Sequence, residues 1–165
     1  MLDDAVRASA VPDGLQAVDA EALVALAGFA SGRRIEDLRG ALALSQPGGA
    51  HLVSRLERAG LARRARDPDD GRGVLVHLTP AGRRAAERIV DARGAAIREL
   101  VGPLSDAEQR TLLRVLDRVL HEQTTGRLHA RRICRMCDPD ACGHPDRCPV
   151  TRRADEIEGA TGIQR

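Results

Sequence analysis

Apolar residues fall at helical spacing through most of the chain and form strand-like runs only once. Leu23, Leu26 and Ala27 recur at three- and four-residue intervals behind Asp19, which is placed as an N-cap; they predict a helix reaching about Ala30. Gly32 ends it. Ile35, Leu38 and Leu42 share one face of a second, short helix. Ser45 is placed to cap a third, whose apolar face is Leu52, Val53 and Leu56 and whose stop is Gly60. Leu61 to Arg66 and Gly73 to Leu78 then read as two strands joined by the polar turn Asp67-Pro68-Asp69-Asp70-Gly71, a hairpin with a long tip. Thr79-Pro80, a cap followed by proline at the first helical position, launches a helix to about Leu100. After the break at Gly102-Pro103, Ser105 and Glu108 have the spacing of a capping box. They open a helix carrying Leu112, Leu113, Val115, Leu116, Val119 and Leu120. Residues 3–10 read as a further short helix and residues 154–165 as a disordered tail.

Composition narrows the class. The 165 residues are 42% apolar, yet Phe29 is the sole aromatic, so the core must be built from Leu, Val, Ile and Ala, which favours helices. No apolar run has the length of a membrane span and no signal-peptide pattern opens the chain, so a cytoplasmic location is expected. Every one of the 26 basic residues is arginine, and their placement says more than the net charge of +2. Residues 1–31 hold five acids against Arg7, whereas residues 127–153 hold seven arginines against three acids. There is no Gly-rich phosphate loop, no metalloprotease helix motif and no nucleophile–His–acid set, which argues against an enzyme.

Two short helices joined by a tight turn and followed by a hairpin have the layout of a winged helix-turn-helix. In it the second helix of the pair enters the major groove and the hairpin lies on the backbone or in the minor groove. On that assignment Ser45, Gln46 and His51 stand at the exposed start of the recognition helix, with Ser54 and Arg55 further along. Gln46 suits adenine edges, while Ser45 and the free amides of the first turn suit a phosphate. Gly48-Gly49 offers no side chain to a base.

The run Leu44-Ser45, Arg55-Leu56-Glu57-Arg58-Ala59-Gly60-Leu61, Asp67-Pro68-Asp69-Asp70-Gly71-Arg72 and Leu78-Thr79-Pro80-Ala81-Gly82 resembles the MarR family over about residues 19–123. The resemblance implies a winged-helix homodimer that binds a pseudo-palindromic operator, usually as a repressor released by a ligand or oxidant. It implies that Arg72 is the wing-tip arginine of the minor groove with Asp70 as its orienting partner, and that Arg63, Arg64 and Arg66 lie on the wing near phosphates. The chain departs from the family at Gly48 and Gly49, where a small polar and then an aliphatic residue are usual.

All four cysteines fall within fifteen residues, as Cys134-x2-Cys137-x4-Cys142-x5-Cys148. In a reducing compartment such clustering favours a metal site over disulfides. Four thiolates can close a tetrahedral zinc site or hold an iron–sulphur cluster, and Arg131, Arg132, Arg135 and Arg147 are placed to offset their charge. The spacing resembles a zinc knuckle in which His144 can replace Cys142. Cys148-Pro149 and the opening Cys-x2-Cys also resemble the [2Fe–2S] loop of superoxide-sensing MerR-type regulators, with a different middle spacing. The cluster is the favoured reading; metal-free redox thiols are the remaining one.

The expected architecture is thus mainly α with a small β-hairpin wing. Residues 1–128 form the DNA-binding and dimerisation domain, 129–153 a four-cysteine loop bracing the protomers, and 154–165 the tail. The expected function is a regulator controlled by its four-cysteine centre. Two alternatives stand beside it: release by a small-molecule effector with a structural zinc site, and a winged helix used only for protein contacts.

Overall fold

The computed structural model describes residues 15–30, 32–68, 70 and 73–162. Helix α1 (Ala17–Ala25) continues into a π-helical turn (Leu26–Ala30), then come strand β1 (Arg33–Arg34), α2 (Ile35–Ala41) and α3 (Gln46–Arg58). Strands β2 (Ala62–Arg66) and β3 (Val74–Leu78) form the hairpin, followed by α4 (Pro80–Val101) and α5 (Asp106–Gln123). Three further helices complete the chain: α6 (Arg127–Cys134), α7 (Pro139–Cys142) and α8 (Pro149–Gly162). The expected mainly helical fold with a small wing is what is found. The sheet has three antiparallel strands, ordered β1-β3-β2, with Arg63 opposite His77 and Arg66 opposite Val74.

Three expectations need correction. The first helix is capped by Gln16 rather than Asp19; Asp19 sits in the first turn, where its Oδ2 accepts from the Gln16 N–H at 2.8 Å. Strand β1 was not foreseen, because two residues cannot show an alternation. Residues 154–162 are helical, not a disordered tail, because Val150 and Ala154 are buried against Ala130 and Cys148, with Leu120 and Ile133 beside them. The cysteine segment holds α6, α7 and the start of α8, with Cys137 and Cys148 in the turns between them. The helix read over residues 3–10 lies outside the described residues.

The main core is aliphatic: Leu23, Leu26, Leu38, Leu52, Val53, Leu56, Val76 and Ile89 are fully buried. Gly49 explains how α2 and α3 approach so closely, since a Cβ there would stand 3.2 Å from the Arg39 Cβ. Gly49 thus serves helix packing within the motif, whereas Gly48 faces the Ser45 cap and Leu44. Ser45 caps α3 by accepting from the Gly48 N–H at 3.2 Å. Helix α5 has no buried residue; it exposes Leu113 (65%), Val115 (54%) and Leu116 (46%), and Leu100 at the end of α4 is similarly bare (52%).

Candidate DNA interface and cysteine cavity

The exposed start of α3 presents Ser45, Gln46 and His51, with Ser54 half-buried one turn on. Arg55 does not join them. Its guanidinium turns inward and donates to both carboxylate oxygens of the fully buried Asp19, with Nη2 to Oδ1 at 2.7 Å and Nε to Oδ2 at 3.1 Å. The bond to Asp19 raises the Arg55 pKa still further above its usual value. Sequence spacing placed Arg55 on the reading helix but could not show which face it takes, because its partner is 36 residues away.

The wing arginines divide in the same way. Arg63 and Arg66 are exposed on β2. Arg64 packs back on α3: its guanidinium is paired with Glu57 and donates to Ser54 Oγ at 3.1 Å, and its N–H donates to Glu57 Oε1 at 2.9 Å. It fixes the wing to the recognition helix. Arg34 of β1, which no motif in the chain singles out, donates to Asp67 Oδ2 at 3.1 Å and Asp70 Oδ2 at 2.9 Å. The Asp67 bond, with the Asp70 charge beside it, raises the Arg34 pKa. Asp70 is thus tied to the strand that precedes α2, while Arg72 lies outside the described residues.

The four cysteines border one cavity of about 490 Å³, enclosed by the π turn, α6, α7 and the start of α8. Val24, Phe29 and Ala130 make its apolar wall. Cys134 and Cys137 are neighbours, and their interaction lowers the Cys137 pKa while it and burial raise that of Cys134. Cys142 interacts with Cys148, and burial raises the Cys142 pKa. Cys148 is only 4% exposed. Among the described residues, no three His, Cys, Asp or Glu side chains are arranged to hold a metal ion. His144 is occupied with Thr151, Nδ1 to Oγ1 at 3.0 Å. Two of the four arginines expected to offset the thiolates are paired with carboxylates of the winged domain, Arg131 with Asp37 and Arg135 with Glu21.

Residues 15–82 match the family model described as a winged helix DNA-binding domain. A probable transcriptional regulator of Pseudomonas aeruginosa is 35% identical, over 71% of this chain and 87% of that one, with a TM-score of 0.54. A MarR-family regulator from Rhodococcus sp. RHA1 is 26% identical, over 72% and 84%, with a TM-score of 0.56. The uncharacterized HTH-type transcriptional regulator YsmB of Bacillus subtilis is 28% identical over 53% of this chain and 60% of its own length. The chain spans about half the length of the curated relatives it matches. Residues 15–82 are a winged-helix DNA-binding domain. The fold around it is MarR-like, and the proteins that the chain resembles are transcriptional regulators rather than enzymes. No helix among the described residues is long and apolar enough to cross a membrane.

Proposed function

We propose that the protein binds a pseudo-palindromic operator as a homodimer, as a repressor, and that a metal centre on Cys134, Cys137, Cys142 and Cys148 sets that binding. An iron–sulphur cluster of [2Fe–2S] type is favoured over zinc. The observation that carries this reading is that four cysteines from one short segment all border one cavity, against the first helix of the winged domain. Four sulfur donors are a sufficient ligand set for either centre. Loading requires the four sulfurs to be drawn together, and a cluster so held responds to oxidant or iron supply. Absorbance with iron, zinc and sulfide analysis of anaerobically purified protein is the test. Visible bands bleached by oxidant support the reading, and their removal by a chelator is expected to lower Tm because metal binding is coupled to folding. One tightly bound zinc per chain and no colour would instead leave a structural centre and turn the signal over to a small-molecule effector.

At the DNA, Ser45, Gln46, His51, Arg63, Arg66 and Arg72 make the proposed contacts, with Ser54, Arg64 and Asp70 holding the surface in shape. Arg63→Ala is expected to weaken binding to all duplexes alike and to reduce the slope of log K against log salt by about one. Gln46→Ala is expected to cost about 1–3 kcal/mol at a single base position and nothing elsewhere. A Gln46→Ala protein with unchanged base preference would remove that residue from the contact set.

Dimerisation gives the bare face of α5 its purpose. A helix with no buried residue but with Leu113, Val115, Leu116 and Val119 exposed has its apolar stripe unmatched within one chain. Leu113→Glu with Leu116→Glu is expected to halve the mass seen by light scattering and to abolish operator binding, leaving helix content intact. A dimer that survives both substitutions would place the interface elsewhere.

A further inference from the structure

We propose that Arg131 and Arg132 are positioning residues for the recognition helix, and that through them the cysteine unit is a strut between α2 and α5 of one protomer, with Arg135 fastening the unit to Glu21 of α1. The inference rests on the cysteine centre proposed above and assigns the route by which that centre reaches the DNA.

Three guanidinium groups on or just past α6 reach the winged domain. Arg131 Nη1 donates to Asp37 Oδ1 at 2.8 Å, Arg132 Nε to the Gly40 carbonyl at 3.0 Å, and Arg135 Nε to Glu21 Oε2 at 2.7 Å. The Arg132 bond adds a second donor to the Gly40 carbonyl in the last turn of α2, which also accepts from the Ala43 N–H at 3.3 Å. Packing agrees with the contact: a Cβ on Gly40 would stand 3.0 Å from Leu128 Cδ1, so α6 lies directly on the end of α2.

Helix α2 in turn sets α3. The Arg39 side chain lies across Gly49, and its Nη1 donates to the Leu44 carbonyl at 3.3 Å, just ahead of the Ser45 cap. A shift of α2 is therefore felt at the first turn of the recognition helix, which is the turn that faces bases. At its far end the unit is tied to α5. Arg152 pairs with Asp117 at 3.3 Å, and His121 Nε2 meets Glu156 at 3.2 Å. Between these two anchorages lie the sulfurs, with Cys134 closing α6 and Cys148 immediately before α8. Drawing the sulfurs together changes how α6 meets α8, and the arginines pass that change to α2. Coupling within one chain differs from a brace across the dimer: it can alter each recognition helix without altering the interface.

Hydrogen exchange on the full chain tests this with zinc ion as the probe. Without added zinc, Arg131→Ala/Arg132→Ala is expected to speed exchange of the α2 amides about threefold to tenfold, since two partly exposed contacts are lost, while α4 and α5 stay unchanged. One equivalent of zinc is expected to slow α2 exchange in the unsubstituted protein but not in the double variant, although both bind zinc equally. The charge swap Arg131→Asp/Asp37→Arg, made with Arg132 intact, is expected to restore the zinc response, which a merely structural role would not do. Equal slowing of α2 in the double variant would overturn the strut, as would zinc-induced slowing confined to α6–α8 in the unsubstituted protein. Failure of the cysteine centre itself is seen separately, as a protein that takes up neither zinc nor iron whatever its α2 exchange.

Discussion

Gly82→Ala is expected to destabilise the protein by about 3 kcal/mol or more, an overpacking cost at the upper end of its range. A Cβ at this buried position would lie 1.9 Å from the Leu61 carbonyl oxygen and 3.1 Å from Leu78 Cδ2. The first of these is backbone, so no rotamer change relieves it. The same corner is pinned by Thr79, whose hydroxyl donates to the Gly60 carbonyl at 2.7 Å and accepts from the Gly82 N–H at 3.1 Å; its N–H donates to the Leu61 carbonyl at 3.0 Å. The start of α4 is thereby seated on the chain that leaves the recognition helix. Thermal unfolding should show the loss as a Tm lower by roughly 10 °C, at 2–4 °C per kcal/mol for a chain of this size. An unchanged Tm would mean that α4 can lift from Leu61 freely, and that the corner does not fix the angle between reading and dimerising parts.

Arg55→Ala is expected to cost about 3–5 kcal/mol, because it strands the Asp19 carboxylate where no water reaches it. Asp19 is 0% exposed, and both its oxygens accept from Arg55. Removing the charge on both sides, as Asp19→Leu with Arg55→Met, should recover most of that loss, since apolar replacements of a buried pair are often neutral. Denaturant midpoints of the two single variants and the double variant give the coupling directly. Were Arg55→Ala to leave stability untouched while weakening DNA binding, the residue would belong to the interface after all. The pair joins α1 to the last turn of α3, so its loss should also loosen the recognition helix in the free protein.

Much of this was readable from the chain because it is local. Ser45, Thr79 with Pro80, and Ser105 with Glu108 each announce a helix start within four residues, and each helix begins there. The hairpin followed from the turn residues between two apolar runs, and Leu52, Val53 and Leu56 are buried as their spacing requires. What the sequence hid is long-range pairing. Arg55, Arg64, Arg131 and Arg135 look alike along the chain, but their partners Asp19, Glu57, Asp37 and Glu21 are chosen by the fold. In a chain whose only basic side chain is arginine, counting arginines cannot separate those that hold the fold from those left for DNA. Helix α8 did leave a trace: Pro149 at a helix start, then Val150, Ala154 and Ile157 at helical spacing. It was outweighed by the polar, charged composition around it.

Phe29, on the wall of the cysteine cavity, is the chain's only aromatic residue. The polypeptide is consequently almost transparent in the near ultraviolet, and its one ring is parked beside the sulfurs. The weak, sharply structured circular dichroism of that ring becomes a built-in gauge of the cavity and of the edge of the main core against which Phe29 also packs. Any broader near-ultraviolet or visible absorption is read with no tryptophan or tyrosine background to subtract.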